Sequence, residues 1–316
     1  MPKSLWSLCF VLAAGCANLS QVSPSPSEAP APETSLTTTA SAPPEPTPST
    51  APPSVMVETI TVDSEFLTNA PRIVDIYLPP GYDADPDRRY PMLYAQDGQD
   101  MADVRLKHTL EELYGQGTIA PLIVIAIHAT GERLSEYGTA GTPDYQYRGS
   151  HAALYTRMLL DEIMPAINEK YRTLVGPENT SVMGWSLGGL MAFDLAWNHP
   201  EIFGQVGVFS GSFWWHTDNE DLPAMLASRV THKMAREGEK REGTRFWFES
   251  GFRDESDDRD GDGIIDAVQD TRELVSELMA KGYTDADITV VELTEGFHTQ
   301  STWGEVLPEF LRWAFP

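Results

Sequence analysis

The eleven residues from Asn179 to Gly189, N-T-S-V-M-G-W-S-L-G-G, constrain the fold more than any other part of the chain. A short β-prone run meets a serine bracketed by glycines, and a long apolar stretch of helical character follows at once. Gly184-Trp185-Ser186-Leu187-Gly188 is a G-x-S-x-G pattern. Small residues on both sides let a chain turn sharply from strand into helix and push the central side chain outward. Gly189 extends the pattern with close helix–strand packing. A serine so placed sits at a helix N-terminus, where the Leu187 amide and the helix dipole favour negative charge. The plain alternative is a glycine-rich turn that matches by chance; the strand before it and the helix after it argue against that.

The rest of the chain agrees with a strand–helix alternation. Strands are expected over 57–62, 72–78, 92–96, 122–128, 181–184, 205–209, 245–249 and 288–293, and helices over 105–114, 151–171, 187–198, 222–236, 270–281 and a last one ending near Ala314. Runs such as Leu122-Ile123-Val124-Ile125-Ala126-Ile127 are apolar throughout, as suits strands buried on both faces of a mainly parallel sheet. Pro165 predicts a kink in the second helix. No linker-like segment divides residues 55–316, which read as one domain.

Ahead of that domain lie two segments of another character. Residues 1–16 read as an export signal: Lys3 is basic, Leu5 to Ala14 is apolar, and Ala13-Ala14-Gly15-Cys16 supplies small residues before a cysteine. That ending resembles a bacterial lipobox, with Ala13 where a leucine is usual, and makes Cys16 the candidate lipidation site. The alternative is an ordinary secretory signal with an incidental cysteine. Residues 17–54, rich in Pro, Ser, Thr, Ala and Glu, read as a disordered linker. The expected location is therefore the bacterial envelope, periplasm or outer membrane, with the chain held to a membrane surface by lipid, or else secretion. Cys9 and Cys16 are the only cysteines, so the domain has no thiol for a disulfide, a zinc site or a nucleophile. A net charge of −25 excludes nucleic acid as an expected partner.

Several blocks together resemble one family: Leu93-Tyr94-Ala95-Gln96-Asp97-Gly98-Gln99-Asp100, Glu132-Arg133-Leu134-Ser135-Glu136-Tyr137, the Gly184–Gly189 elbow, Pro200-Glu201-Ile202-Phe203-Gly204, and Ser210-Gly211-Ser212-Phe213-Trp214-Trp215. The chain is similar to the esterase D family of α/β-hydrolases, which includes siderophore esterases, feruloyl and acetyl xylan esterases, S-formylglutathione hydrolases and antigen 85 mycolyltransferases. The resemblance spans the domain and implies an α/β-hydrolase fold with an eight-stranded, mainly parallel sheet flanked by helices. It implies a serine esterase and leaves the ester open.

In this fold the catalytic order is serine, acid, histidine. His298 follows the last strand in Glu295-Gly296-Phe297-His298-Thr299, where a loop would deliver its imidazole to Ser186. His108, His128, His151, His199, His216 and His232 compete with it and suit structural or solvated positions better. The family carries its acid after the penultimate strand, which implies Asp254, with Glu255 as the alternative. It takes its second oxyanion donor from the amide after an Asp-Gly pair, here Gln99, although Asp97-Gly98 is also an ordinary turn.

Residues 258–269 form an acidic loop. Asp258, Asp260, Asp262, Ile264 through its carbonyl, and Asp266 fit positions 1, 3, 5, 7 and 9 of a calcium loop, with Gly261 at position 6. Gln269 stands where a bidentate Glu belongs. The alternatives are a structural Ca2+ and a solvated acidic surface; no cofactor is required for the chemistry. Trp214 and Trp215 line a binding pocket or pack in the core.

The expected function is a serine carboxylic-ester hydrolase acting through an acyl-enzyme on a small-molecule or glycan-linked ester: siderophore, feruloyl, acetyl or small acyl. Two rivals remain at this stage, an acyltransferase of the mycolyltransferase type and a catalytically inactive binding lipoprotein.

Overall fold

The computed structural model describes residues 53–316. The segment read as an export signal, the candidate lipidation site Cys16 and nearly all of the expected linker lie outside the described residues. The strands are β1 (Met56–Val62), β2 (Arg72–Leu78), β3 (Met92–Gln96), β4 (Ile123–Ile127), β5 (Thr180–Trp185), β6 (Gln205–Phe209), β7 (Arg245–Arg253) and β8 (Ile288–Phe297). They form one sheet in the order β1-β2-β4-β3-β5-β6-β7-β8. β2 pairs antiparallel with β1 and β4, and every other neighbour pair is parallel. This is the mainly parallel eight-stranded α/β sheet expected from the sequence.

Why the central strands are apolar throughout is plain from their two faces. Met92, Tyr94, Ile123, Ile125, Val182, Phe246 and Phe248 pack into one core, beneath α3 (Ala152–Arg157), α4 (Met164–Lys170) and α5 (Leu187–Asn198). Their alternates Leu93, Ala95, Val124, Met183 and Trp247 pack into a second core with α1 (Leu106–Gln116) and α9 (Gln300–Ala314). With a side-chain period of two, a strand covered on both faces has no position left for solvent. A one-turn α2 (Arg133–Glu136), α6 (Leu222–Ala227), α7 (Val230–Glu237) and α8 (Asp266–Ala280) complete the helices.

Two helices and two strands differ from expectation. The helix read over 151–171 opens into a π-helical segment, Met158–Ile163, with the Met164 N–H reaching back to the Leu159 carbonyl. Pro165, which has no N–H to donate, stands in the first turn of the helix that follows. The helix read over 222–236 is two helices, because Arg229 leaves helical geometry (ψ 116°) to bury its guanidinium against Asp270 and Glu273. β7 and β8 run four residues further than read from sequence, pairing as far as Arg253 and Phe297 after an irregularity.

Candidate active site

β5 ends at Trp185 and α5 begins at Leu187, leaving Ser186 alone at the turn with φ 55° and ψ −125°. A non-glycine residue there carries strain on the order of 1–3 kcal/mol, held by its surroundings. The restraints are visible: the Ser186 N–H donates to the Phe209 carbonyl at 3.0 Å, and the Ser212 N–H donates to the Ser186 carbonyl at 3.1 Å. The turn also explains its glycines. A Cβ on Gly184 would lie 2.3 Å from the Gly188 carbonyl oxygen, and one on Gly188 would lie 2.7 Å from Asp97 Oδ2. Leu187 is the first residue of a twelve-residue helix, so its N–H has no partner one turn earlier.

The extra length of β7 and β8 brings the next two residues together. Asp254 directly follows β7 and His298 directly follows β8, with His298 Nδ1 3.8 Å from Asp254 Oδ2. The Asp254 side chain is 1% exposed and that of His298 is 39% exposed, so the acid lies beneath and the imidazole reaches solvent. Glu255 lines the same cleft, but its carboxylate accepts the Ala267 N–H at 2.7 Å and, among the described residues, forms no ion pair with His298. Ser186, Leu187, Asp254 and His298 all line one cleft of about 400 Å3.

The other histidines are engaged elsewhere. His128 meets Asp75 at 2.8 Å, His108 meets Glu112 at 3.4 Å, and His199 meets Glu201 at 3.4 Å. His216 stacks on Tyr145. His151 precedes α3, its N–H donating to the Ser135 carbonyl. Burial first, then the nearby Arg229 charge, drive His232 down to about 3.

Gln99 lies in a 3-10 turn, Gly98–Asp100, at the end of β3. Its side chain is spent on structure, accepting from the Ala129 N–H at 2.9 Å and donating to Asp97 at 3.2 Å, and it does not line the cleft. The next residue ties the turn to the elbow: Asp100 Oδ2 accepts from Trp185 Nε1 at 3.0 Å and from Gln300 Nε2 at 3.4 Å.

A strained serine after β5, a buried acid after β7 and a part-exposed histidine after β8 thus line one cleft. The family model described as "Putative esterase" matches residues 65–314. The chain belongs to this esterase family. It is similar to the uncharacterized protein YbbA of Bacillus subtilis (strain 168), 29% identical over 158 residues, or 46% of this chain and 59% of that one. It is similar to an endo-1,4-beta-xylanase/feruloyl esterase of Xylanibacter ruminicola, 25% identical over 178 residues, or 54% of this chain and 23% of that one. These matches thus span well under two thirds of either relative. The enterobactin esterase FES from Shigella flexneri has the same fold, with a TM-score of 0.65 at 23% identity, over 83% of this chain and 59% of that one.

Two arginines of this esterase-family chain were not singled out from the sequence, although Arg133 lies within one of the resembling blocks. Arg133 makes a two-pronged pair with Asp97, Nε to Oδ1 at 2.7 Å and an Nη to Oδ2 at 2.8 Å, and its guanidinium covers the Tyr137 ring. Arg148, bound to Asp144, stacks over Trp214 with its guanidinium carbon 4.7 Å from the ring centroid. Both arginines and Trp214 line the cleft. Trp215 is fully buried and donates to the Thr142 carbonyl, so the adjacent tryptophans divide between cleft and core. The sequence neighbourhoods of Arg133 and Arg148 do not mark them, since most cations of the chain, such as Arg89, Arg245 and Arg312, also adjoin an apolar or aromatic residue.

The acidic loop brings three of its carboxylates together. One carboxylate oxygen each from Asp258, Asp260 and Asp262 lies within 4.8 Å of the others. Asp258 accepts the Gly261 and Gly263 N–H groups, and Asp262 accepts that of Ile264. Asp266 points elsewhere, its Oδ1 accepting the Arg259 N–H at 2.9 Å, and Gln269 donates its amide to Asp260. Positions 1, 3 and 5 converge, whereas position 9 is drawn off by Arg259 and position 12 is itself an amide donating to position 3.

Proposed function

We propose that this chain is a serine carboxylic-ester hydrolase working through Ser186, His298 and Asp254. The observation that carries the proposal is the pairing of His298 with the buried Asp254 in the cleft that holds the strained Ser186. His298 takes the Ser186 proton as Oγ bonds to the ester carbonyl carbon, and the carbonyl oxygen becomes an oxyanion between the Leu187 and Gln99 N–H groups. The intermediate collapses, the C–O bond to the alcohol breaks, and His298 returns the proton to the leaving alkoxide. Water, deprotonated by His298, then attacks the acyl-enzyme and releases the carboxylic acid. Asp254 holds the imidazole in its working tautomer and stabilises the imidazolium formed in each half-reaction.

The substrate class follows from the cleft together with the relatives. Trp214 backed by Arg148, with Arg133 opposite the elbow's helix, suits a flat acyl group bearing polar substituents, in line with the feruloyl and enterobactin esters of similar proteins. The rest of the proposal concerns setting: export with lipid at Cys16 placing the domain near a membrane surface, and a structural Ca2+ held by Asp258, Asp260 and Asp262. The test is labelling of the purified chain with a fluorophosphonate, followed by turnover of methyl ferulate, p-nitrophenyl butyrate and a catecholate lactone. Labelling at Ser186 and turnover of at least one ester are expected. Neither labelling nor turnover in a folded chain contradicts the proposal.

A further inference from the structure

Asp254 shares its buried pocket with a second carboxyl. Residues two apart on a strand face the same side, so Glu249 and Gly251 of β7 present one face. The bare side of Gly251 is closed by the Gly296 carbonyl oxygen, 2.4 Å from where a Cβ would stand, and by Asp254, whose Oδ1 lies 2.8 Å from the same point. The Asp254 carboxylate thus folds back along β7 towards Glu249. Both are buried, the Asp254 side chain at 1% exposure and Glu249 at 1%. Among the described residues, neither Asp254 oxygen and not Glu249 Oε1 has a hydrogen-bond partner. Ionised carboxylates only accept, and two of them buried together without donors repel each other. One proton on the pair supplies the missing donor.

Glu249 is the better holder of that proton. Burial, reinforced by the Asp254 charge, pushes its carboxyl up to about 8. The groups facing it are Asp254, just past the end of its own strand, and Ser210 from the loop after β6, whose Oγ donates to Oε2 at 3.4 Å. Behind Ser210 stands Trp303 of α9, whose indole N–H donates to Ser210 Oγ at 2.9 Å. The same indole meets the His298 ring edge-on, centroids 5.1 Å apart.

We propose that Glu249 is a positioning residue of this site: a neutral carboxylic acid whose O–H donates to Asp254, directly or through one buried water, and fixes the oxygen aimed at His298. The inference rests on the Ser186–His298–Asp254 reading. The proton stays on Glu249 through both half-reactions, and no bond to carbon involves it. When Glu249 ionises, the donor is lost and a second negative charge repels Asp254. Turnover then falls at alkaline pH for a reason unconnected with Ser186 or His298.

The test compares full-length wild type, Ser186→Ala, Glu249→Gln and Glu249→Leu by kcat and KM across pH. Glu249→Gln keeps an N–H donor without the titration, so its kcat/KM at neutral pH stays within about threefold of wild type, and its decline above about pH 8 disappears. Glu249→Leu lacks the donor and loses about tenfold or more in kcat with KM unchanged. Infrared spectra in an Asp194→Asn background, which removes the buried carboxyl raised to about 7 and leaves Asp270 paired with Arg229 and Arg259, show a protonated carboxylic acid band at neutral pH. The band vanishes on titration through about pH 8 and is missing from Glu249→Gln. Coincident alkaline limbs for wild type and Glu249→Gln, or no such band, overturn the proposal. If Glu249→Gln does not fold, the wild-type infrared titration decides alone. Full activity in Ser186→Ala overturns the catalytic reading itself; an inactive Ser186→Ala with coincident limbs overturns only the role of Glu249.

Discussion

The indole N–H of Trp185 donates to the Asp100 carboxylate at 3.0 Å, joining the residue before Ser186 to the turn that carries Gln99. Asp100 also receives Gln300, two residues beyond His298, so one carboxylate touches all three segments of the site. On the proposed assignment of Gln99 as an oxyanion donor, removing the Asp100 carboxylate lets that amide drift. Asp100→Ala is expected to lower kcat for p-nitrophenyl butyrate by about tenfold or more, with KM within about twofold, because the oxyanion exists only after attack. A change confined to KM in steady-state kinetics would show that the turn binds substrate and does not orient a donor.

Asp97 carries a different load. It is 1% exposed, adopts φ 57°, and binds Arg133 through both oxygens at the edge of the cleft. Asp97→Ala leaves a half-buried guanidinium without its partner and puts alanine in a left-handed conformation. A loss of about 3 kcal/mol or more is expected in urea unfolding, together with weaker binding at the cleft. Asp97→Asn keeps the backbone conformation and should lose less.

Asp194 sets a pH dependence of stability. Buried on α5 and accepting the Ala140 N–H at 3.0 Å, its carboxyl is raised by burial from 3.8 to about 7. The folded state therefore holds a proton that the unfolded chain gives up. Stability from this group is undiminished below about pH 4, falls as pH rises towards about 7, and carries a cost on the order of 4 kcal/mol above that. Urea titrations of wild type and Asp194→Asn are expected to diverge across this window, with the variant more stable at pH 8. Parallel curves would show that Asp194 is ionised in the native state.

The loop at Asp258, Asp260 and Asp262 makes a prediction independent of catalysis. Millimolar Ca2+ should raise the melting temperature by a few degrees in calorimetry, about what RT ln(1 + [L]/Kd) gives for weak binding, and Asp260→Asn should abolish the shift. Equal melting curves with Ca2+ and with chelator would leave the loop a solvated acidic turn.

How much of this was legible beforehand depends on the range of the forces involved. The elbow was legible because its glycines answer a steric demand within five residues, and the central strands because burial on both faces writes itself as an unbroken apolar run. Asp254 and His298 could be named from chain order and resemblance, but not that β7 and β8 lengthen to place them side by side; that comes from strand pairing across about forty residues. The break at Arg229 was hidden for the same reason, since its cause lies in Asp270 and Glu273 on another helix. Glu249 looked like one acid among 47 acidic residues, and only burial under Asp254 sets it apart. Asp266 fitted a calcium pattern by spacing, whereas its carboxylate is taken by Arg259, a competitor that spacing does not reveal.

The most direct measurement is turnover of methyl ferulate and p-nitrophenyl butyrate by wild type and Ser186→Ala, with matched circular dichroism to show that both are folded. The account predicts hydrolysis by wild type and a loss of about a thousandfold or more in kcat for the variant, the residue being what the oxyanion donors and binding alone supply. Comparable turnover by Ser186→Ala would contradict it.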